Sequence, residues 1–285
     1  MLKWIIIALI AVILFFVIVM IIDGNRFVIR EYTIKTDKID KEYIFALLAD
    51  LHNKTYGQDN AKLLAAVDKV NPDMVLCAGD IMTTKPKYSL DVASSLIKNL
   101  AAKYPVYYGI GNHEYRMKLY REYYKDAFEI YTDELKNVGV RVLDNETVQE
   151  PAFHVTGLSI DRKYYKRFQK TFMEEEYLTD TLGTVSKDKY HILIAHNPEY
   201  FERYADWGAD LVVSGHIHGG IMRLPLLGGV ISPKPVLFPK YDGGQFERNK
   251  TTMILSRGLG MHTFPIRIFN PGELVVIHLL PCKRG

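Results

Sequence analysis

"LVVSGHIHGG", residues 211–220, sets two histidines one residue apart, between an apolar run and two glycines. The run Leu211–Val213 reads as a buried strand. An imidazole at the end of such a strand needs a partner, because an unpaired buried polar group costs free energy. Two of them, His216 and His218, so close to a glycine turn point to a shared partner.

The same arrangement recurs along the chain. "EYIFALLAD" (42–50) runs into Leu51-His52, "DMVLCAGD" (73–80) stops at Gly79-Asp80, "PVYYGIGNHE" (105–114) stops at Gly111-Asn112-His113-Glu114, and "HILIAHNP" (191–198) carries His196-Asn197. Further strands are expected over 27–35, 140–145, 153–161, 209–220, 251–260 and 273–280. Helical spacing is read over 59–70 and 89–104, with Ser89 or its neighbour placed to cap the second, and a long polar-aromatic helical stretch should reach about Asn137. The first half resembles βαβ units and the second is richer in strands. An α/β fold with helices outside two facing mixed sheets follows.

In α/β sheets, sites form beyond the carboxyl ends of strands. Five strand ends would bring together Asp50, Asp80, Asn112, His52, His113, His196, His216 and His218. Residues two apart in extended chain face the same way, so Asp50 with His52, and His216 with His218, would each point into one pocket. Carboxylate, imidazole and amide oxygen without thiolate suit Mn, Fe or Zn. A carboxylate such as Asp80 can bridge two ions about 3.5–4 Å apart, as in two-metal hydrolytic sites.

Composition narrows the class. The 285 residues are 48% hydrophobic and 24% charged, which is globular rather than disordered. A net charge of +3 is too small to argue for nucleic acid. The two cysteines, Cys77 and Cys282, form no CxxC motif, so a disulfide framework or thiolate site is not expected. Residues 4–22, "WIIIALIAVILFFVIVMII", contain no charge. At 1.5 Å per residue they reach roughly 28 Å, close to a bilayer core, and no small-x-small cleavage site follows. This is the reading of an uncleaved N-terminal transmembrane anchor over 1–25, followed by one catalytic unit over 26–285. Lys3 flanks one side, and Arg26, Arg30, Lys35, Lys38 and Lys41 flank the other. That bias favours a cytoplasmic body, although a large domain behind a signal anchor often overrides it.

In order, D-x-H (Asp50, His52), GD (Gly79, Asp80), GNHE (111–114), a lone His (His196) and GHxH (215–218) resemble the calcineurin-like metallophosphoesterase superfamily, over roughly residues 44–220. The resemblance implies a four-layer α/β/β/α sandwich of two mixed sheets around a dinuclear centre. Carried over by position, Asp50, His52 and His218 would hold one divalent ion, Asn112, His196 and His216 the other, and Asp80 would bridge them. A hydroxide held between the ions would attack phosphorus. His113 would be the catalytic residue that touches no metal, acting as an acid or charge stabiliser beside the substrate phosphate. The anchor, the "GHIHGG" stretch, "SRGLG" and the closing strand are similar to the membrane-associated bacterial branch of YkuE-like and YaeI-like phosphodiesterases. Ile221 stands where that branch leads one to expect Gln, which bears on substrate class rather than on the ligands.

The expected partner is a phosphoester, a phosphodiester or a lipid-linked pyrophosphate. A nuclease of the same superfamily is the competing enzyme, but the chain shows no extended basic groove, and no nucleic acid is expected. A non-catalytic metal-binding scaffold would lack a ligand or His113, and neither is missing. His154, His191, His262 and His278 are read as structural, Glu114 as a helix-start or supporting residue, and Asn53 and Asn197 as shaping turns. "RKYYKRFQK" (162–170) is read as a solvated helix face rather than an anion or lipid contact. The apolar loop over 224–244 is read equally as a packed connection and as a lid or membrane-dipping segment.

Overall fold

The computed structural model describes residues 1–84, 89–166, 171–224, 227–231, 237–261 and 265–282. Its core is set by strands buried on both faces, whose alternate side chains enter different layers. Helix α1 (Leu2–Asn25) leads into β1 (Phe27–Thr36), β2 (Tyr43–Leu48), α2 (Ala61–Val70), β3 (Met74–Cys77), α3 (Asp91–Ala101) and β4 (Val106–Gly109). Then come α4 (Asn112–Leu119), α5 (Arg121–Tyr124), α6 (Ala127–Lys136), β5 (Arg141–Leu143), β6 (Glu146–Gln149) and β7 (Phe153–Leu158). The chain continues through α7 (Tyr177–Leu182), β8 (Tyr190–Ala195), α8 (Phe201–Trp207), β9 (Leu211–Ser214) and the hairpin β10 (Met222–Leu224) and β11 (Gly228–Ile231). It closes with β12 (Gly244–Arg248), β13 (Thr251–Leu255) and β14 (Gly272–Pro281).

Two mixed six-stranded sheets result, in the orders β1-β14-β2-β3-β4-β5 and β12-β13-β9-β8-β7-β6. Within the first, β2 to β5 are parallel; within the second, β7, β8, β9 and β13 are parallel. Ala46, Leu48, Val75, Cys77 and Tyr108 face α2, α3, α4 and α6. Their neighbours Phe45, Leu47, Met74, Leu76 and Tyr107 face Val155, Ile192, Ile194, Leu211 and Val213 of the second sheet. Leu193, Ala195 and Val212 turn outward to Phe201 and Tyr204 of α8 and Leu178 of α7. These three cores make the four-layer α/β/β/α sandwich that the resemblance implies.

Several boundaries differ from the sequence reading. The run 105–114 is not one strand: β4 stops at Gly109, and Asn112 and His113 open α4. Glu114 accepts there from the N–H of the N-cap residue Gly111 (3.1 Å), so the local hydrogen bonding of a helix start prevails over the apolar pattern. The expected long helix is three pieces, α4 to α6. The stretch 251–260 keeps β structure only to Leu255, because "SRGLG" folds over the strand ends. Arg162–Tyr165 form a short 3-10 turn rather than a solvated helix face: Tyr164 is core, and Lys163 lies over its ring. Residues 167–170, His262 and parts of the 224–244 loop (225–226 and 232–236) lie outside the described residues.

His154, His191 and His278 stand away from the strand ends that carry the motifs. His191 is buried, 2.7 Å from Thr156 Oγ1, and packs edge-on to Trp207. Burial, with His154 and Lys38 nearby, pushes its pKa from 6.5 down to about 4. The unfolded chain therefore binds this proton first on acidification. The stabilisation is present above about pH 6.5 and is lost as the pH falls towards about 4, on the order of 3 kcal/mol in all. His191→Gln should flatten the acid limb of the stability profile, measured by urea unfolding of the detergent-solubilised chain at pH 7 and pH 4. Equal acid losses in both chains would contradict this account.

Candidate metal centre

The seven expected ligands leave the sheets at neighbouring strand ends, but not by the extended alternation read from sequence. Asp50 (φ 50°), His52 (φ 49°), Asp80 (φ 53°), His216 (φ 75°) and His218 (φ 55°) all adopt left-handed backbone. Non-glycine residues seldom do, and such strain concentrates at functional sites. Convergence comes from turns held by backbone bonds between adjacent loops. The loop after β2 runs beside the loop after β3, with Asp50 N–H donating to Gly79 O (3.0 Å), His52 N–H to Asp80 O (3.1 Å) and Asn53 N–H to Ile81 O (3.1 Å).

The side chains meet closely. His218 Nε2 lies 3.1 Å from His52 Nε2 and 3.6 Å from Asp50 Oδ1. His52 Nε2 is 3.9 Å from Asp80 Oδ2, and His196 Nε2 is 3.2 Å from the same oxygen and 3.9 Å from Asp50 Oδ1. Donor atoms of Asp50, His52 and His218 lie within 4.8 Å of one another, as do those of Asp80, His196 and His216, and those of His52, Asp80 and His113. The first group is one expected half; the second holds His196 and His216 of the other, with Asp80 in the place expected of Asn112, and Asp80 also belongs to the third. Asn112 sits between Gly111 and His113, with its Oδ1 buried and accepting no hydrogen bond among the described residues.

Electrostatics favour a cation here. Burial raises the Asp50 carboxyl to about 7 despite His196, and nearby Asp80 adds to the rise. Burial also opposes the charge of Asp80, but His196, through its charge and its hydrogen bond, outweighs it and holds the carboxyl well below its usual value. Burial disfavours a charged His196, yet Asp80 and Asp50 lift it to about 10. Two buried carboxylates thus compete for shared imidazolium charge. Divalent ions would let both ionise and leave the imidazoles neutral, which is the state that ligates. The donor set, the buried amide oxygen of Asn112 and this charge conflict all fit metal.

Close packing fixes the carboxylates. A Cβ on Gly215 would stand 2.6 Å from Asp50 Oδ2, while the next N–H, of His216, donates to Asp50 at 2.9 Å. Glu114 is fully buried and accepts from the N–H groups of Asp80 (3.0 Å), Ile81 (3.1 Å) and Gly111 (3.1 Å) and from Tyr108 OH (2.6 Å). It is the supporting residue expected. Asn53 donates to Ser89 O, and Asn197 accepts from Glu199 N–H, so both shape turns as read.

Sequence reasoning missed four residues. Tyr165 packs edge-on to His216, ring centres 5.3 Å apart, and 6.4 Å from His196. Thr84 N–H donates to His113 Nδ1 (3.1 Å). Asn270 donates from its side chain to His218 O (2.7 Å) and Gly220 O (2.8 Å). Arg267 is buried and donates to the carbonyls of Arg257, Gly258, Gly260 and Asn270, around the loop that closes on Asp50. None falls in a motif; the aromatic pair in "RKYY" was the one available signal.

A family model for calcineurin-like phosphoesterases matches residues 44–220, and the chain belongs to that family. It is 26% identical over 257 residues to the metallophosphoesterase Cj0846 of Campylobacter jejuni, covering 88% of this chain and 63% of that protein. It is 24% identical to the metallophosphoesterase YkuE of Bacillus subtilis, covering 87% of this chain and 84% of the other. The chain thus spans less than two thirds of the Campylobacter relative. Among solved structures, NAD nucleotidase of Haemophilus influenzae aligns with 76% of this chain and 45% of its own, at 17% identity and a TM-score of 0.45.

Glu114 touches none of the candidate donor atoms directly, yet it holds the turn of Asp80. Glu114→Gln would turn an amide N–H₂ toward backbone donors and should weaken metal retention about 10–100-fold, the usual worth of such a supporting contact. Metal content after graded chelator dialysis checks this. Unchanged retention would mean that the turn holds itself.

Proposed function

We propose that the chain is a membrane-anchored, metal-dependent phosphoesterase with a two-ion centre, in which residues 26–285 form one catalytic unit behind the anchor. The observation that carries the reading is the convergence of Asp50, Asp80 and four imidazoles at distances of 3.1–3.9 Å or within 4.8 Å, inside the family match. Asp50, His52 and His218 would hold one ion, Asn112, His196 and His216 the other, with Asp80 between them. Mn, Fe or Zn suits these donors. When bound, the ions would supply Lewis acidity to the phosphoryl group and an acidified water.

The protein's own contribution centres on His113. Its Nδ1 accepts from Thr84 N–H, so the ring proton belongs on Nε2. A neutral ring in that tautomer is a hydrogen-bond donor, suited to holding a phosphoryl oxygen and stabilising its charge. It is a poor source of a proton for a leaving group. Of the two roles left open by the sequence, this supports charge stabilisation. Asp80 Oδ1 accepts from His113 N–H (2.8 Å), which fixes the backbone of His113 against the ion site.

The substrate is a phosphodiester or a lipid-linked pyrophosphate. Support for the lipid-linked class comes from α1, a 24-residue helix long and apolar enough to cross a membrane. Full-length chain should sediment with membranes and resist salt and alkaline washing; a shortened soluble product would mark residues 4–22 as a cleaved signal.

Two variants test the chemistry. Asp80→Ala should drop bound metal well below two per chain and abolish hydrolysis, whereas two tightly held ions in that variant would remove Asp80 from the centre. His113→Ala should keep its metal and lose about 10²–10⁴ in turnover. The loss should be similar for nitrophenyl and alkyl phosphodiesters. A much larger loss for the alkyl ester would instead restore His113 as the proton donor.

A further inference from the structure

The way α1 joins the rest of the molecule constrains how deep the body sits. Along α1 the residues withdrawn from solvent are Phe16, Val19, Met20, Asp23 and Gly24. Their spacing of three and four is one helical stripe. The second half of the helix therefore lies against the body and does not project from it. Phe15 and Phe16 each pack on Phe269, with ring centres 6.3 Å apart, and Met261 Cε closes on Gly24. Asp23 is buried, pairs with Arg26 at 2.8 Å and accepts from Asn270 N–H at 3.0 Å.

A bilayer core is about 30 Å thick. If the body stood wholly in water, everything from Phe16 onward would stand in water with it. The remainder, Leu2–Phe15, gives about 21 Å of helix, too short to span. Membrane thinning by some 9 Å is one way to close the gap; lowering the body is another, and the surface favours the second. Phe269 is 40% exposed although it already touches two phenylalanines of α1. The segment that carries it is paired with β10, through Arg223 N–H to Ile268 O (3.0 Å) and Ile268 N–H to Ile221 O (3.2 Å). β10 pairs with β11, and the turn between them exposes Leu227 (62%). Large apolar side chains are thus exposed both beside the helix, at Phe269, and on the hairpin paired to that segment, at Leu227.

We propose that Phe269 and Leu227, which enters β11, are immersed in the bilayer beside α1, so that the body is seated in one leaflet and not tethered above it. This rests on the reading of α1 as a membrane span. The partner is the acyl layer of the bilayer itself. The consequence for the site is direct. Asn270, held by Asp23 at the helix end, donates to His218 O and Gly220 O in the histidine loop. One residue therefore separates the anchor from the metal centre, which fits a phosphoester presented at the headgroup level.

Depth measurement on the full chain in nanodiscs of phosphatidylethanolamine and phosphatidylglycerol tests this. Nitroxide labels would be placed singly at Ile13→Cys, Phe269→Cys and Leu227→Cys, with Glu175→Cys as a water-exposed reference, in a Cys282→Ser background. Collision with oxygen against a water-soluble nickel chelate reads immersion. Labels at 13, 269 and 227 should all favour oxygen, and the label at 175 should favour nickel. If 13 favours oxygen while 269 or 227 favours nickel, α1 spans the membrane but the body is not seated, and the proposal falls. If 13 itself favours nickel, the membrane-span reading fails first and the proposal falls with it. Because Phe269→Cys removes a ring packed on α1, Phe269→Trp offers a second measurement in a chain with Trp4→Phe and Trp207→Phe. Its fluorescence should be quenched by lipids brominated on the upper acyl chain; emission unaffected by them would overturn immersion.

Discussion

Asp50 and Asp80 are buried on neighbouring loops, and most of the local structure serves to keep two such carboxylates in place. At an effective dielectric of about 20, like charges about 4 Å apart repel by roughly 4 kcal/mol, before any cost of desolvation. Glu114, also buried and raised to about 7 by burial and by Asp80, adds a third acidic group to the same region. The chain answers with imidazoles around Asp80 and with backbone N–H groups on Asp50 and Glu114. Arg267, a buried guanidinium whose charge also favours the ionised Asp50, spends its hydrogen bonds on carbonyls. Two buried carboxylates remain to be balanced there, and divalent ions would be a fitting complement.

Holding these groups costs backbone strain. Five of the seven expected ligands sit at positive φ, and each such residue costs on the order of 1–3 kcal/mol. The strain persists because the loops are clamped from both sides. The loop after β3 bonds to the loop after β2, and "SRGLG" closes over the top through Leu259 N–H to Ala49 O (3.0 Å) and Gly260 N–H to Asp50 O (2.6 Å). Gly258 adopts φ +68° there, and a Cβ would fall 2.7 Å from Asp50 Cβ, so a larger residue would push the carboxylate off its position.

The motifs made the site legible because strand ends combine two local signals, an apolar run and a polar stop. They point to strand-end residues whose donor atoms, in Asp50, His52, Asp80, His196, His216 and His218, fall in groups within 4.8 Å. They did not reveal how these meet: alternation along extended chain was the wrong reason, since Asp50, His52, His216 and His218 lie in left-handed turns. Strand boundaries were overrun wherever glycine loops continue an apolar pattern, as after Gly109 and Leu255. β6, β10, β11 and β12 were not read as strands, being short or lying at sheet edges or in a separate hairpin, where packing imposes little pattern. Asn270 and Arg267 were invisible for a different reason. Their partners are backbone carbonyls, and a carbonyl leaves no trace in composition.

The centre straddles a seam. Asp50, His52, Asp80 and Asn112 follow strands of the first sheet; His196, His216 and His218 follow strands of the second. The distances among them therefore depend on how the sheets pack face to face. That packing is tight: a Cβ on Gly109 would come within 2.4 Å of Ile194 Cγ2, and one on Gly157 within 2.4 Å of Leu143. A cavity in the outer core beneath α2 and α3 would lower stability while leaving the seam intact. A cavity between the sheets would let one slide on the other, and metal ligation tolerates shifts of only a few tenths of an ångström. In this architecture the inner apolar layer of Phe45, Leu76, Ile192 and Val213 is as much a part of the metal site as the residues that would touch the ions.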